Sequence, residues 1–171
     1  MAIYSYKTEL LTDFSKQENV KLYEEALTKV RGYLGEEYPL IINGERIFTD
    51  KFITSLNPSN HSEVIGKISQ ATLKEAKLAM DTALTTFEFW KKVDARVRAD
   101  ILFKAANIMK RRKHELSALM TLEAGKPWNE ADADTAEAID FLEYYARQML
   151  KITKIDDVIL SRRDMERNEY R

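Results

Sequence analysis

Apolar residues recur at helical spacing in four stretches of the chain. Val20, Tyr23, Leu27, Val30 and Leu34 follow alternating steps of three and four, which predicts a helix that begins after Asp13 or Ser15 and stops near Gly35. Ala76, Met80, Ala83, Phe87 and Trp90 line a second helix, opened by Thr72 with Glu75 three residues on as a capping box and running to about Lys91. Asp94 is the expected N-cap of a third, in which Val97, Ile101, Leu102, Ala105, Ile108 and Met109 keep the period and Leu116, Leu119 and Met120 carry it toward Gly125. A span of that length is expected to bend midway. A fourth starts after Pro127 and sets Ala138, Leu142, Tyr145 and Met149 on one side, with Phe141 and Tyr144 widening the apolar face.

Between the first two helices the period changes. Asn43-Gly44 separates Leu40-Ile41-Ile42 from Glu45-Arg46-Ile47-Phe48, and both turn positions of a two-residue hairpin need positive φ, which predicts a tight hairpin of 40–42 with 45–48. Residues 52–56 and 64–68 read as two further strands around the turn Asn57-Pro58-Ser59-Asn60. The fold class expected is α+β, helix-rich, with a small antiparallel sheet.

Composition narrows the chemistry. The 171 residues contain no cysteine, which removes disulfides, thiolate metal sites and any cysteine nucleophile from this chain. The glycines at 32, 35, 44, 66 and 125 form neither G-x-G-x-x-G nor a phosphate-binding loop of the G-x-x-x-x-G-K-[ST] type. A net charge of -1 supplies no general field for a polyanion or an anionic membrane. No apolar run reaches the ~18 residues of a membrane span, and the first residues lack the pattern of a secretory signal, so a cytoplasmic location is expected.

Individual candidates mostly have structural explanations. Lys110-Arg111-Arg112-Lys113-His114 is the one basic cluster, but inside a helix its side chains fan around the cylinder, and a solvated turn with stems on the core is expected rather than a nucleic-acid site. His61 and His114 have no second ligand at helical spacing, so no metal centre is expected. Trp90, Trp128, Tyr144 and Tyr145 read as core or interface aromatics. Glu130, Asp132 and Asp134 oppose the partial positive charge at the start of the fourth helix. Glu137 stands apart, because it shares a helical face with Phe141 and Tyr144 and is expected to point toward an apolar, partly closed environment.

The ordered segments R-R-K-H-E-L, L-E-A-G-K-P-W and E-A-D-A-D-T-A-E-A-I-D-F-L-E-Y-Y-A-R-Q-M closely resemble the N-terminal region of bacterial 1-pyrroline-5-carboxylate dehydrogenases, within the aldehyde dehydrogenase superfamily. T-D-F-S, Y-P-L-I-I-N-G-E-R-I, S-L-N-P-S and V-I-G agree upstream in order and spacing. The resemblance covers about residues 8 to 150 and implies that residues 1–150 are the N-terminal part of the α/β aldehyde dehydrogenase fold, an incomplete domain, with 151–171 as a divergent or truncated tail in which Asn168-Glu169-Tyr170 stands where a strand is expected to begin.

The activity implied is NAD-dependent oxidation of L-glutamate γ-semialdehyde to L-glutamate, in proline and arginine degradation. In that family a cysteine thiolate attacks the aldehyde, amide donors hold the oxyanion, hydride passes to NAD and a glutamate-activated water releases the acid. The catalytic cysteine and the NAD-binding motifs are not in these 171 residues. The resemblance therefore implies no catalytic residue, metal or bound cofactor for this chain alone. It places Glu137 and Phe141 on the helix bordering the aldehyde tunnel. Implied partners are the missing C-terminal part of the enzyme or a full-length subunit of a homo-oligomer, with neither nucleic acid nor membrane. A competing expectation is a stand-alone helical interaction module that pairs with a full-length subunit or another protein through the apolar face of 138–149.

Overall fold

A computed structural model describes residues 6–153. The expected tail at 154–171, including the strand start at Asn168-Glu169-Tyr170, lies outside the described residues. The order is α1 (Gln17–Arg31), β1 (Glu37–Tyr38), β2 (Leu40–Ile42), β3 (Glu45–Ile47), β4 (Phe52–Asn57), β5 (Asn60–Ser69), α2 (Leu73–Trp90), α3 (Ala95–Arg111), α4 (Lys113–Ala124) and α5 (Trp128–Ile152).

The hairpin forms as its sequence dictates. Asn43 and Gly44 take φ of 55° and 76°, the two left-handed positions that a two-residue turn requires, and Ile42 pairs with Glu45 across it. It is not part of the larger sheet. That sheet is mixed rather than purely antiparallel: β5 lies in the middle, antiparallel to β4 and parallel to the short β1, which returns from α1.

The stripe of α1 works as its spacing predicts. Tyr23, Leu27 and Val30 are buried with Ala26, against Ile65 of β5 and Ala118 and Leu122 of α4, and Phe14 and Trp128 close the edge of this core. Trp128 stacks on Tyr23 with ring centroids 4.7 Å apart, and the Tyr23 hydroxyl meets Thr121 Oγ1 at 2.9 Å.

The expected third helix is two helices. The chain leaves regular geometry at Arg112, φ -108° and ψ 16°, where the side chain turns back to Glu115. The break lets the two halves take different neighbours: α3 packs on the C-terminal half of α5 through Ala99, Ala146 and Leu150, while Ala118 and Leu122 of α4 enter the core of α1 and β5.

Two apolar stripes do not face where the period alone suggested. On α5 the buried set is Ala131, Asp132, Thr135, Ala136, Ile139, Glu143, Ala146 and Leu150, rotated from the 138/142/145/149 side, and Tyr145 is 58% exposed. Small residues win that face because α3 and α4 approach closely there, and bulky aromatics are displaced outward. α2 has its capping box, with Thr72 and Glu75 bonded reciprocally, yet buries no residue. Its apolar stripe is uncovered in the described structure.

Candidate functional site

The strongest polar assembly is one that spacing did not single out. Asp132, 1% exposed, lies one turn into α5 and faces Lys113 in the first turn of α4, Nζ to Oδ2 2.9 Å. Its carboxylate also accepts from the Thr12 amide at 2.8 Å and the Thr12 hydroxyl at 2.6 Å, while Lys113 donates to the Leu10 carbonyl at 2.6 Å. Burial works against the ionised Asp132, but the bonds from Thr12 and Lys113 outweigh it and hold the carboxyl below the usual range. These bonds hold residues 10–12 against α4 and α5. This is a structural clasp.

Three of the four cations of the basic cluster have acidic partners; Arg111 and Arg112 are exposed as a solvated turn requires, while Lys113 departs from that expectation by being buried. Lys110 donates to Glu143 at 3.1 Å, Arg112 donates to Glu115 at 2.7 Å, and Lys113 is buried with Asp132. Glu115 also accepts from Lys29 at 2.8 Å. The hydrogen bonds from Arg112 and then Lys29 pull its carboxyl from 4.5 to about 2. A depression of about 400 Å³ opens beside these residues, and of its lining cations Lys110 pairs with Glu9 and Lys29 and Arg112 pair with Glu115. His114 lies beside it half-buried, its Nδ1 without a partner; burial pushes its pKa down and favours the neutral ring.

The sequence-predicted site residues lie on the outer side of α5. Glu137 is exposed, not enclosed as its spacing suggested, and Phe141 is 50% exposed one turn on. Phe141 stacks on Tyr145 with centroids 5.8 Å apart, Tyr145 meets Tyr144 edge-on at 5.3 Å, and Tyr6 meets Tyr144 at 5.9 Å. Lys126, just before the helix, pairs with Asp134 and holds its proton more firmly than usual, Asp134 first and then Glu130 and Glu137 favouring the cation. The result is one wall: a carboxylate in a mixed-charge field beside an aromatic shelf. Such a wall can shape and orient a ligand, but bond-making groups are not on it.

Two helix N-termini are capped by side chains of their own first turns. At the turn from β5 into α2 the Thr72 hydroxyl accepts from the Lys74 amide and the Glu75 carboxylate accepts from the Thr72 amide. The N-terminus of α3 is closed likewise by Asp94, which accepts from the Arg96 amide at 2.6 Å. Among the described residues no group of three or more His, Asp or Glu side chains is placed to hold a metal ion.

The chain has close relatives among known proteins. Residues 47–169 match the Aldehyde dehydrogenase family. The chain is 56% identical over 168 residues, 98% of its length, to the 1-pyrroline-5-carboxylate dehydrogenase of Geobacillus sp. (strain WCH70), and 54% identical over the same length to that of Bacillus mycoides (strain KBAB4). It spans only 32% of each of those proteins. The structure superposes with a TM-score of 0.85 on 1-pyrroline-5-carboxylate dehydrogenase from Thermus with bound NAD, at 44% identity, covering 88% of this chain and 29% of that one. A Mycobacterium tuberculosis Δ-pyrroline-5-carboxylate dehydrogenase shares the fold at 20% identity, TM-score 0.81. By sequence and by fold together, the chain belongs to the aldehyde dehydrogenase family.

Proposed function

We propose that this chain serves the NAD-dependent oxidation of L-glutamate γ-semialdehyde to L-glutamate, in cytoplasmic proline and arginine breakdown, as the N-terminal portion of a 1-pyrroline-5-carboxylate dehydrogenase. The observation that carries the reading is 56% identity across 98% of the chain to an enzyme of that name. Its own contribution is scaffold and wall. With no cysteine in its 171 residues it has no thiolate to attack the aldehyde, so by itself it is inactive. Nucleophile, cofactor and oxyanion donors belong to the portion it does not span.

Within that enzyme, Glu137 and Phe141 form one side of the tunnel by which the semialdehyde approaches. Their exposure in this chain supports the reading, since a wall residue is open until the opposite side is present. The purified chain is incubated with NAD and the semialdehyde while NADH absorbance is followed. No turnover is expected from the chain alone, and turnover is expected once the remaining portion is supplied. NADH formation by the chain alone would refute the inactive-scaffold reading. An assembled dehydrogenase that ignores the semialdehyde would refute the substrate.

A further inference from the structure

The basic cluster is the sequence motif that neither the clasp nor the α5 wall absorbs. It borders the depression of about 400 Å³ that opens between the segment 9–12, α1 and the junction of α3 with α4. Cavities of ~300–1,000 Å³ are the size that holds a small molecule. Lys29, Lys110, Arg111, Arg112 and Lys113 all line this one.

Charge is distributed unevenly over these cations. At the inner end Lys113 is matched by Asp132, and Lys110 by Glu9 and Glu143. At the outer end the single carboxylate of Glu115 answers both Lys29 and Arg112, and Arg111 is exposed and faces no carboxylate among the described residues. The outer end is therefore electropositive in a chain whose net charge is -1. Glu115 also positions these donors without exhausting them: Arg112 spends Nε and Nη2 on it, which leaves Nη1, and Lys29 spends one bond of its ammonium. Two further groups on the same wall lack a partner. The Nδ1 of His114 is buried with none, and α4, twelve residues long, begins there with no side-chain cap on its first amides.

Guanidinium pairs and an ammonium around one opening suit a compact dianion with several acceptor oxygens. An extended polyanion would need a cationic stripe running beyond the depression, and the balanced charge of the chain supplies none. We propose that the depression at the α3–α4 junction binds a phosphate group, as free phosphate or as a phosphomonoester, with Lys29, Arg111 and Arg112 as its donors. The site lies apart from Glu137 and Phe141 and stands independently of the dehydrogenase reading.

Inorganic phosphate and glycerol 3-phosphate are titrated separately into the full chain by calorimetry at about pH 7.5, where the dianion predominates, with ionic strength held constant by chloride. Saturable binding with a Kd of about 1 mM or below is expected for at least one of them. Binding of the ester alone identifies an esterified ligand, and binding of inorganic phosphate alone identifies the free ion. Arg111→Gln and Lys29→Gln, on opposite sides of the depression, should each weaken binding roughly tenfold. Lys21→Gln removes the same charge from α1 at a 75% exposed side chain outside the depression and should leave binding unchanged. Arg111 holds no ion pair among the described residues, so its variant should keep the wild-type circular dichroism and decides the matter even if Lys29→Gln loosens the fold. The proposal is overturned if neither titrant saturates by about ten times that concentration. It is equally overturned if Arg111→Gln binds as wild type does, or if Lys21→Gln weakens binding as much as the other two, which would reduce the effect to diffuse surface charge.

Discussion

Lys113 and Asp132 form an ion pair inside the α4–α5 contact, 2.9 Å from Nζ to Oδ2, and the same carboxylate fastens Thr12 from a segment 120 residues away. One buried pair therefore ties the start of the described chain to its two most central helices. Removing one member leaves the other charged without compensation at a buried position.

Asp132→Ala is expected to lower unfolding stability by about 3–5 kcal/mol, since it strands the Lys113 ammonium and the Thr12 amide together. The double change Lys113→Met/Asp132→Leu should cost clearly less. Urea unfolding followed by circular dichroism measures both, and a single variant within 1 kcal/mol of wild type, as an order of magnitude, would show that the pair is solvated.

Stability should fall as pH drops from about 5 toward 2. The Glu115 carboxyl sits near 2 in the folded chain against 4.5 ordinarily, so its contribution is complete above the ordinary value and disappears as acid reaches the folded one. Arg112 and Lys29 are 53% and 64% exposed, and solvent screening reduces the expected contribution to about 1–2 kcal/mol. Glu115→Gln should flatten this acid limb in melts taken between pH 6 and 2.5, on the order of half a pH unit per point. An unchanged limb would assign it to Asp132 and Glu143, whose carboxyls are also held low against burial by their hydrogen bonds.

Gly125 ends α4 at φ 68°, and a Cβ there would stand 3.0 Å from Pro58 Cγ. Gly125→Ala is expected to cost about 1–2 kcal/mol from the left-handed backbone, before any shift of the β4–β5 turn is added. A thermal melt that matches wild type would show that the turn relaxes freely.

Ala146 is fully buried where α5 meets Ala99, Leu102 and Phe103 of α3. Ala146→Leu should overpack this contact and destabilise by about 1–3 kcal/mol. Phe141→Ala, on the opposite side of the helix and half exposed, should stay within about 0.5 kcal/mol. In the assembled dehydrogenase Phe141→Ala should raise KM for the semialdehyde more than it lowers kcat. Equal melts for the two variants would overturn the assignment of faces on α5.

Much of the fold was legible because it is locally encoded. Asn43-Gly44 demands its turn, Thr72 and Glu75 close a helix end between themselves, and the α1 stripe finds its core as spaced. The candidate wall at Glu137 and Phe141 rests on resemblance, not on spacing. Glu137 was expected in an enclosed setting from the apolar residues along its face, yet those residues are themselves exposed here. Asp132 was read as one of several helix-start acids, because a linear pattern does not show that Lys113 and Thr12 converge on it.

The sequence by itself determined which residues are apolar at helical spacing, where helices and turns begin, and that no thiolate is present, since these depend on neighbours a few positions apart or on composition alone. Only the tertiary structure decided which apolar face is buried. On α5 the close approach of α3 and α4 selects the alanine side and turns the aromatics outward, and on α2 nothing among the described residues covers the stripe at all. Periodicity reports that a face wants a partner, and burial depends on whether the rest of the chain comes near enough to supply one.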